Sequence, residues 1–184
     1  MLKIKINKGT LDYIIKYAGI KYVGIYIALL PYKDKLVTIE ELADATKYSY
    51  TNIFNKITIL KNKRMIIKKR RQTGNIYEFP LENKKFEDTK YYEIEEDIIK
   101  NIGDVELLGI YCKLLSMKKT NEQEIVTSCK EISHQCDLST ESIRSQLKKL
   151  EIKEKLITIN HGKLGTLTIA FPKEKHWQSL LRNL

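Results

Sequence analysis

The stretch Ser139–Ile157, STESIRSQLKKLEIKEKLI, combines the signals of a helix, a basic turn and a strand. Ser139 can cap a helix N-terminus, and Glu141 in the first turn suits the positive end of the helix dipole. Apolar residues then recur at i, i+4 and i+7 as one stripe: Ile143, Leu147 and Leu150. After the Lys-rich turn, residues 156–159 have the composition of a strand. The stretch therefore predicts a helix that leads directly into a β-hairpin.

The same pattern occurs ninety residues upstream, in Ser49–Ile67, SYTNIFNKITILKNKRMII. The similarity extends outward, because GIYIALL at 24–30 matches GIYCKLL at 109–115. Each copy also carries a capping box, in which a hydroxyl and a carboxylate satisfy the free amides of a helix start: Thr38 with Glu41, and Ser128 with Glu131. The offset between the copies changes only where loops are expected. The sequence therefore predicts an internal duplication.

The predicted fold is mainly α with small β wings (α+β), as an internal duplication of two winged helix-turn-helix domains. The helices expected in the first copy are 22–30, 39–45 and Tyr50–Asn62, before a wing at 66–81. In the second copy they are Val105–Met117, Cys129–Cys136 and 140–152, before a wing at 156–171. The predicted domains are 1–83, a charged linker at 84–93, and 94–172.

Residues 173–184 are predicted to form a C-terminal amphipathic helix. Its apolar face would carry Trp177, Leu180, Leu181 and Leu184. Two interpretations remain open at this point: a helix packed on its own domain, and a helix through which two copies of the chain associate.

The charge of the chain is uneven. The formal net charge is +10 over 184 residues, but residues 1–83 hold sixteen Lys and Arg against seven Asp and Glu, whereas 84–184 hold seventeen against sixteen. A strongly basic half indicates a polyanionic partner. A chain that is simply rich in Lys and Ile is the alternative.

The cysteines and the hydropathy pattern predict a cytoplasmic protein with no membrane partner. Cys112, Cys129 and Cys136 are odd in number and form no C-x-x-C pair, which is typical of a reducing compartment. No signal peptide is recognisable, and no apolar run reaches the roughly 18 residues that a membrane span requires.

The third helix of the first copy is the predicted reader of DNA bases. A helix-turn-helix places this helix in the major groove. Opposite its apolar stripe lie Thr51, Asn55, Thr58 and Asn62, flanked by Asn52. Asn can bond adenine through two atoms, and Thr can contact bases or phosphates. The candidate residues on this helix are Ser49, Tyr50, Thr51, Asn52, Asn55, Lys56 and Thr58; an ordinary solvated face is the alternative.

The strongest candidate site is the basic run after this helix. Between positions 61 and 71 there are seven cations and no acid: Lys61, Lys63, Arg64, Lys68, Lys69, Arg70 and Arg71. Side chains alternate between the two faces of a strand. A thin hairpin exposes both faces at its tip, so these cations are predicted to reach phosphates or the minor groove. The alternative is a solvated charged hairpin.

The second copy is a weaker candidate for DNA contact. Its predicted contact residues are Ser142, Arg144, Ser145, Lys148 and Lys149 on the helix, with His161 and Lys163 at the wing tip. Glu141 and the near-neutral charge of this half weaken the electrostatic argument. A winged helix that contacts protein remains the alternative for this copy.

Metal, cofactor and catalytic sites are not expected. Cys129, His134, Cys136 and His161 lack the spacing of zinc ligands, and a buried free Cys behaves as a small hydrophobe. Gly-rich phosphate loops, nucleophile elbows and paired catalytic carboxylates are absent from the sequence. The sequence therefore predicts a protein that is not an enzyme.

Both copies resemble the winged-helix superfamily through the pattern T/S-x-x-E, turn, S-x-x-x-I-x-x-x-I/L-x-x-L, basic turn and strand. The segment before GIYxxLL resembles the N-terminal winged helices of plasmid and phage replication proteins. The double copy resembles the small DNA-binding proteins, of TraN type, found in conjugative transfer regions of Gram-positive plasmids.

These resemblances imply that the partner is double-stranded DNA and that the role is transcription regulation or accessory work in plasmid transfer. A replication initiator is the alternative within DNA binding. Paired winged helices also resemble segregation and condensation protein B, a protein-interaction scaffold. That family is typically acidic, unlike residues 1–83.

Overall fold

The computed structural model describes residues 3–88, 90–119 and 122–172. It is an α+β structure with small antiparallel sheets, and its contacts divide the chain into two compact units. The N-terminal unit extends to Ser116 and the C-terminal unit begins at Met117. This division differs from the boundary that the charged segment 84–93 suggested. The predicted helix at 173–184 lies outside the described residues.

The N-terminal unit contains most of the helices. In chain order its elements are β1 (Lys3–Asn7), α1 (Lys8–Ala18), α2 (Ile20–Leu29), α3 (Ile39–Thr46), α4 (Tyr50–Asn62), β2 (Ile67–Arg71), β3 (Gly74–Glu78), β4 (Tyr91–Glu95), α5 (Glu96–Asn101) and α6 (Val105–Met117). Met117, the last residue of α6, belongs to the C-terminal unit. Short 3-10 turns follow α2 and β3, at Leu30–Tyr32 and Pro80–Asn83. Its two sheets each have two strands, β1 with β4 and β2 with β3.

The C-terminal unit contains two helices and one sheet. Its elements are β5 (Glu124–Ser128), α7 (Cys129–Cys136), α8 (Thr140–Lys148), β6 (Thr158–His161) and β7 (Thr166–Ala170). The predicted two-stranded wing is a three-stranded sheet in the order β5-β7-β6. The helix predicted over 140–152 is α-helical only to Lys148 and continues as a π-helical turn at Lys149–Lys153. In this turn the Glu151 carboxylate accepts a hydrogen bond from the Ile159 amide at 2.7 Å.

Hydroxyl caps start the helices where the sequence predicted them. Ser49 and Ser139 accept bonds from the amides three residues on, at 3.3 and 3.1 Å. Thr38 and Glu41 form a complete capping box. At Ser128 and Glu131 only half of the box forms. Ser128 caps the Glu131 amide, but the Glu131 carboxylate accepts from the Thr127 hydroxyl at 2.8 Å instead of bonding back to the cap residue.

The segment predicted as a linker contains the start of a strand. Tyr91–Glu95 pairs antiparallel with Lys3–Asn7, with Lys5 opposite Glu93 at the centre of the ladder. Lys3 and Lys5 both lie within 3.8 Å of the Glu93 carboxylate. Opposite charges on facing strands favour this pairing. The acidic composition of the segment therefore complements the Lys-rich first strand rather than marking a solvated connection.

Helices α2 and α6 approach each other through glycines in a reciprocal way. A methyl group at Gly24 would lie 1.9 Å from the carbonyl oxygen of Val105, and one at Gly109 would lie 2.3 Å from that of Ile20. Both glycines begin the matched motif GIYxxLL, and Val105 follows Ile20 by the same 85 positions that separate the glycines. Only hydrogen at these Cα atoms allows this backbone approach.

The apolar stripes of both predicted third helices are buried. Ile53, Ile57 and Leu60 are at most 2% exposed, and their counterparts in α8 and the following turn are also buried. Beneath the first wing, Tyr26 packs edge-on against Phe79 with ring centroids 5.2 Å apart. This packing fixes which face of α4 points outward. No helix in the described part of the chain is both long enough and apolar enough to cross a bilayer.

Candidate nucleic-acid interface

Helix α4 presents a polar face to solvent, as the sequence predicted. Thr51, Asn55 and Thr58 are exposed, and so is Asn62 at the helix end. The Thr58 hydroxyl donates to the Phe54 carbonyl at 2.9 Å, so only its oxygen lone pairs remain for an external donor. Among these residues, Asn55 and Asn62 have amides that can both donate and accept toward a base edge, and Asn55 is the one in the N-terminal half of the helix.

Asn52 differs from this outward face. It is half-buried, and its Oδ1 accepts a hydrogen bond from the Lys56 ammonium one helical turn on. The pair lies on the flank of α4 because positions 52 and 56 project about 100° beyond 51 and 55. Asn52 is therefore less available to a base than the sequence analysis expected, and Asn55 becomes the main candidate.

The turn before α4 is short and uses a left-handed residue. Lys47 ends α3 with φ 58° and ψ 19°. The next residue, Tyr48, is buried, and Ser49 caps α4. A left-handed residue at the end of a helix lets the chain leave the helical path within one position. This geometry holds α4 against α3 with its N-terminal half at the surface.

The predicted wing of the N-terminal unit corresponds to the hairpin of β2 and β3. Lys68 pairs with Tyr77 and Arg70 with Asn75, so these two cations share one face of the hairpin. The other face carries Lys69 and Arg71. All four side chains lie on a ladder of five residue pairs, within about 14 Å along the strand.

The four wing cations are not equivalent. Lys69 forms an exposed ion pair with Glu78, whose carboxylate offsets part of its charge. Lys68 is half-buried, with its ammonium 5.7 Å from the centroid of the Phe54 ring. Arg70 and Arg71 are exposed, and within the described ranges neither pairs with a carboxylate. Lys69 thus differs from the other three cations in having a carboxylate partner among the described residues, and all four remain predicted contacts.

Positive charges crowd this surface. Burial lowers the pKa of Lys68, and repulsion from Lys61 and Arg70 lowers it further. Burial also lowers the pKa of Lys56, with repulsion from Lys21 as the next cause. Lys61, Lys63 and Arg64 are exposed at the end of α4. A bound polyanion would relieve this repulsion, which is the electrostatic condition for a phosphate-binding surface.

An exposed aromatic pair was missed by the sequence analysis. Tyr50 and Phe54 are 48% and 43% exposed, and their rings stack with centroids 6.1 Å apart and an interplanar angle of 6°. Of the two, only Tyr50 was a predicted contact residue, since Phe54 is apolar and lies outside the polar face of the helix. The spacing i, i+4 at positions outside the buried stripe could have revealed the pair.

The predicted residues of the C-terminal unit are also at the surface. Arg144, Ser145, Lys148 and Lys149 on α8 are exposed, while Ser142 is half-buried. The wing tip contains His161 and Lys163, both exposed, followed by Leu164 with φ 56° and its side chain fully in solvent. Glu141 is exposed on the same helix, so the surface carries both signs of charge.

The three cysteines are wholly or partly shielded from solvent. Cys112 and Cys136 are buried, Cys129 is half-buried, and none of the three forms a disulfide bond. Burial raises the pKa of the Cys112 thiol far above its usual range. Across residues 3–88, 90–119 and 122–172, no group of three or more His, Cys, Asp and Glu side chains is placed to hold a metal ion.

No protein-family model matches the sequence, and no curated protein matches it significantly.

Proposed function

We propose that the protein binds double-stranded DNA through winged helix-turn-helix units, with α4 in the major groove and the β2–β3 wing on phosphates or in the minor groove. The observation that carries this proposal is the combination, within one compact unit, of an exposed Asn and Thr face on α4 and an adjacent wing with unpaired arginines. Polar groups that can read base edges and cations that can neutralise phosphate are the two parts of a DNA interface.

The proposal includes an internal duplication, in which the C-terminal unit supplies a second helix and wing. Left-handed residues support it, because Lys47 and Asp137 end equivalent helices ninety positions apart. Strand pairing supports it as well: the isolated bridge of Val37 with Asn75 corresponds to the pairing of Thr127 with Leu167, at offsets of 90 and 92. The role that fits best is transcription regulation or accessory work in plasmid transfer.

Binding to duplex DNA should weaken steeply as salt increases. Each phosphate contact releases condensed counterions, so log affinity should fall against log salt by about 0.9 per contact. A titration of the full chain with labelled random-sequence duplexes at increasing salt measures the slope. An affinity independent of salt, or no binding at low salt, would remove the DNA proposal and leave a protein-interaction scaffold as the better explanation.

Asn55→Ala should separate reading of bases from positioning on the backbone. We expect a loss of about 1–3 kcal/mol on the preferred sequence, with the salt slope unchanged. Asn83→Ala, which changes another exposed Asn away from α4, is the matched control. The measurement is a titration on the preferred and on a scrambled duplex. Equal weakening on both duplexes would mean that α4 does not read bases through Asn55.

A further inference from the structure

Packing within the fold does not explain why the stacked pair of Tyr50 and Phe54 is exposed. Nearly half of each ring is in solvent, although both lie on a helix with a fully buried apolar stripe. At 100° per residue, the pair projects between that stripe and the polar face of Thr51, Asn55 and Thr58. The rings therefore form an apolar column beside the proposed base-reading column.

The surroundings of the pair favour nucleic acid as its occupant. The Lys68 ammonium of the wing lies 5.7 Å from the Phe54 ring centroid. Lys61 continues the aromatic column two turns along α4, since position 61 projects in the same direction as positions 50 and 54. A patch lined by cations on two sides complements an anionic partner rather than an apolar protein surface.

Within the major groove, only one group fits an apolar side chain. The faces of the bases are covered by stacking, and the base edges present donors and acceptors, except for the C5-methyl of thymine. The two ring centroids are 6.1 Å apart, which is less than two base steps of about 3.4 Å. Two stacked rings can therefore meet methyl groups on thymines that are adjacent or separated by one base pair.

We propose that Tyr50 and Phe54 read thymine methyl groups in the major groove, so that the preferred site contains a closely spaced pair of thymines beside the base contacted by Asn55. This inference rests on the proposed DNA binding and specifies part of its sequence preference. It assigns the discrimination at these positions to apolar contact, and that at the neighbouring position to hydrogen bonding.

Deoxyuridine tests the proposal, because it keeps the pairing edge of thymidine and lacks only the methyl group. The probe is a duplex selected by the full chain from random sequences, with its thymines replaced one at a time. We expect one or two positions at which the replacement weakens binding about four-fold, the effect of burying one methyl group. At the position that Phe54 contacts, Phe54→Ala should bind the thymine and uracil duplexes equally, whereas the position that Tyr50 contacts should stay sensitive. The salt slope of this variant should remain that of the unchanged protein.

Two further variants make the result specific. Phe54→Leu keeps an apolar contact and should retain part of the sensitivity to uracil. It also replaces the Ala variant if that variant folds poorly. Tyr17→Ala removes another exposed aromatic ring, which lies on α1 and is 49% exposed. This variant should retain the full sensitivity to uracil. Thermal unfolding followed by circular dichroism checks that each variant is folded.

Several outcomes would overturn the proposal. Uracil could have no effect at any position while salt-dependent binding persists, or Phe54→Ala could keep the sensitivity at every position where the unchanged protein shows it. Preferential binding of single-stranded DNA that Phe54→Ala abolishes would show that the rings stack on unpaired bases instead. A protein that fails to bind duplex DNA at any salt would contradict the proposed function itself, which is a distinct result.

Discussion

Gly24→Ala should lower the free energy of unfolding by about 3 kcal/mol, at the upper end of the range for overpacking. The added methyl group would lie 1.9 Å from the Val105 carbonyl oxygen, a backbone atom held in α6. Alanine gains about 1 kcal/mol over glycine in helix propensity, which offsets only part of this overlap. Urea unfolding of both proteins, with a shift of the midpoint at constant slope, measures the change.

Gly103→Ala is the control for this substitution. A methyl group at Gly103 meets nothing closer than the Lys47 carbonyl oxygen at 4.0 Å, so the change should be small or slightly stabilising through reduced freedom of the unfolded chain. Gly109→Ala should resemble Gly24→Ala, because its methyl group would lie 2.3 Å from the Ile20 oxygen. A change below about 0.5 kcal/mol in Gly24→Ala would contradict the close helix approach.

Replacing Lys68, Arg70 and Arg71 together with Gln should weaken binding to every duplex by about 3 kcal/mol, or roughly a hundred-fold in Kd at low salt. These are the three wing cations that do not pair with a carboxylate within the described residues. Glutamine removes the charge and keeps a polar side chain with two of the four methylenes of lysine, so the loss reports mainly charge. The salt slope should decrease by about 0.9 for each phosphate contact removed.

Two controls accompany the wing variant. Lys69→Gln alone should change the affinity little, since its ammonium is already paired with Glu78. Replacing the exposed Lys16, Lys35 and Lys85 with Gln removes the same net charge from other surfaces of the N-terminal unit. If that distant triple variant lost as much affinity and slope as the wing variant, net charge rather than the wing would explain binding.

The local elements were predictable because their signals are local. The bounds Tyr50–Asn62 follow from the Ser49 cap and from the apolar spacing up to Leu60, and the structure confirms both ends. The complete capping box of Thr38 and Glu41 is also local. By contrast, the Glu131 carboxylate turned to the Thr127 hydroxyl, a competitor four residues away that the motif does not include.

Contacts between distant segments could not be predicted in the same way. The β1–β4 ladder depends on residues 91–95, of which 91–93 were interpreted as part of a charged linker because no helical stripe passes through them. Charge complementarity between Lys5 and Glu93 is visible only after the two strands are aligned. In the candidate site, the Lys69–Glu78 pair likewise required the hairpin register before the wing cations could be distinguished.

The β1–β4 ladder also sets an order of events during synthesis. Lys3 pairs with Glu95, so the first strand has no partner until about 90 further residues have been made. At roughly 5–20 residues per second, this takes about 5 to 20 seconds. During that interval the strand has an open edge, and its alternating Lys3 and Lys5 disfavour pairing with another nascent chain. Lys3 and Lys5, which later form ion pairs with Glu93, therefore first disfavour misassembly of the nascent chain.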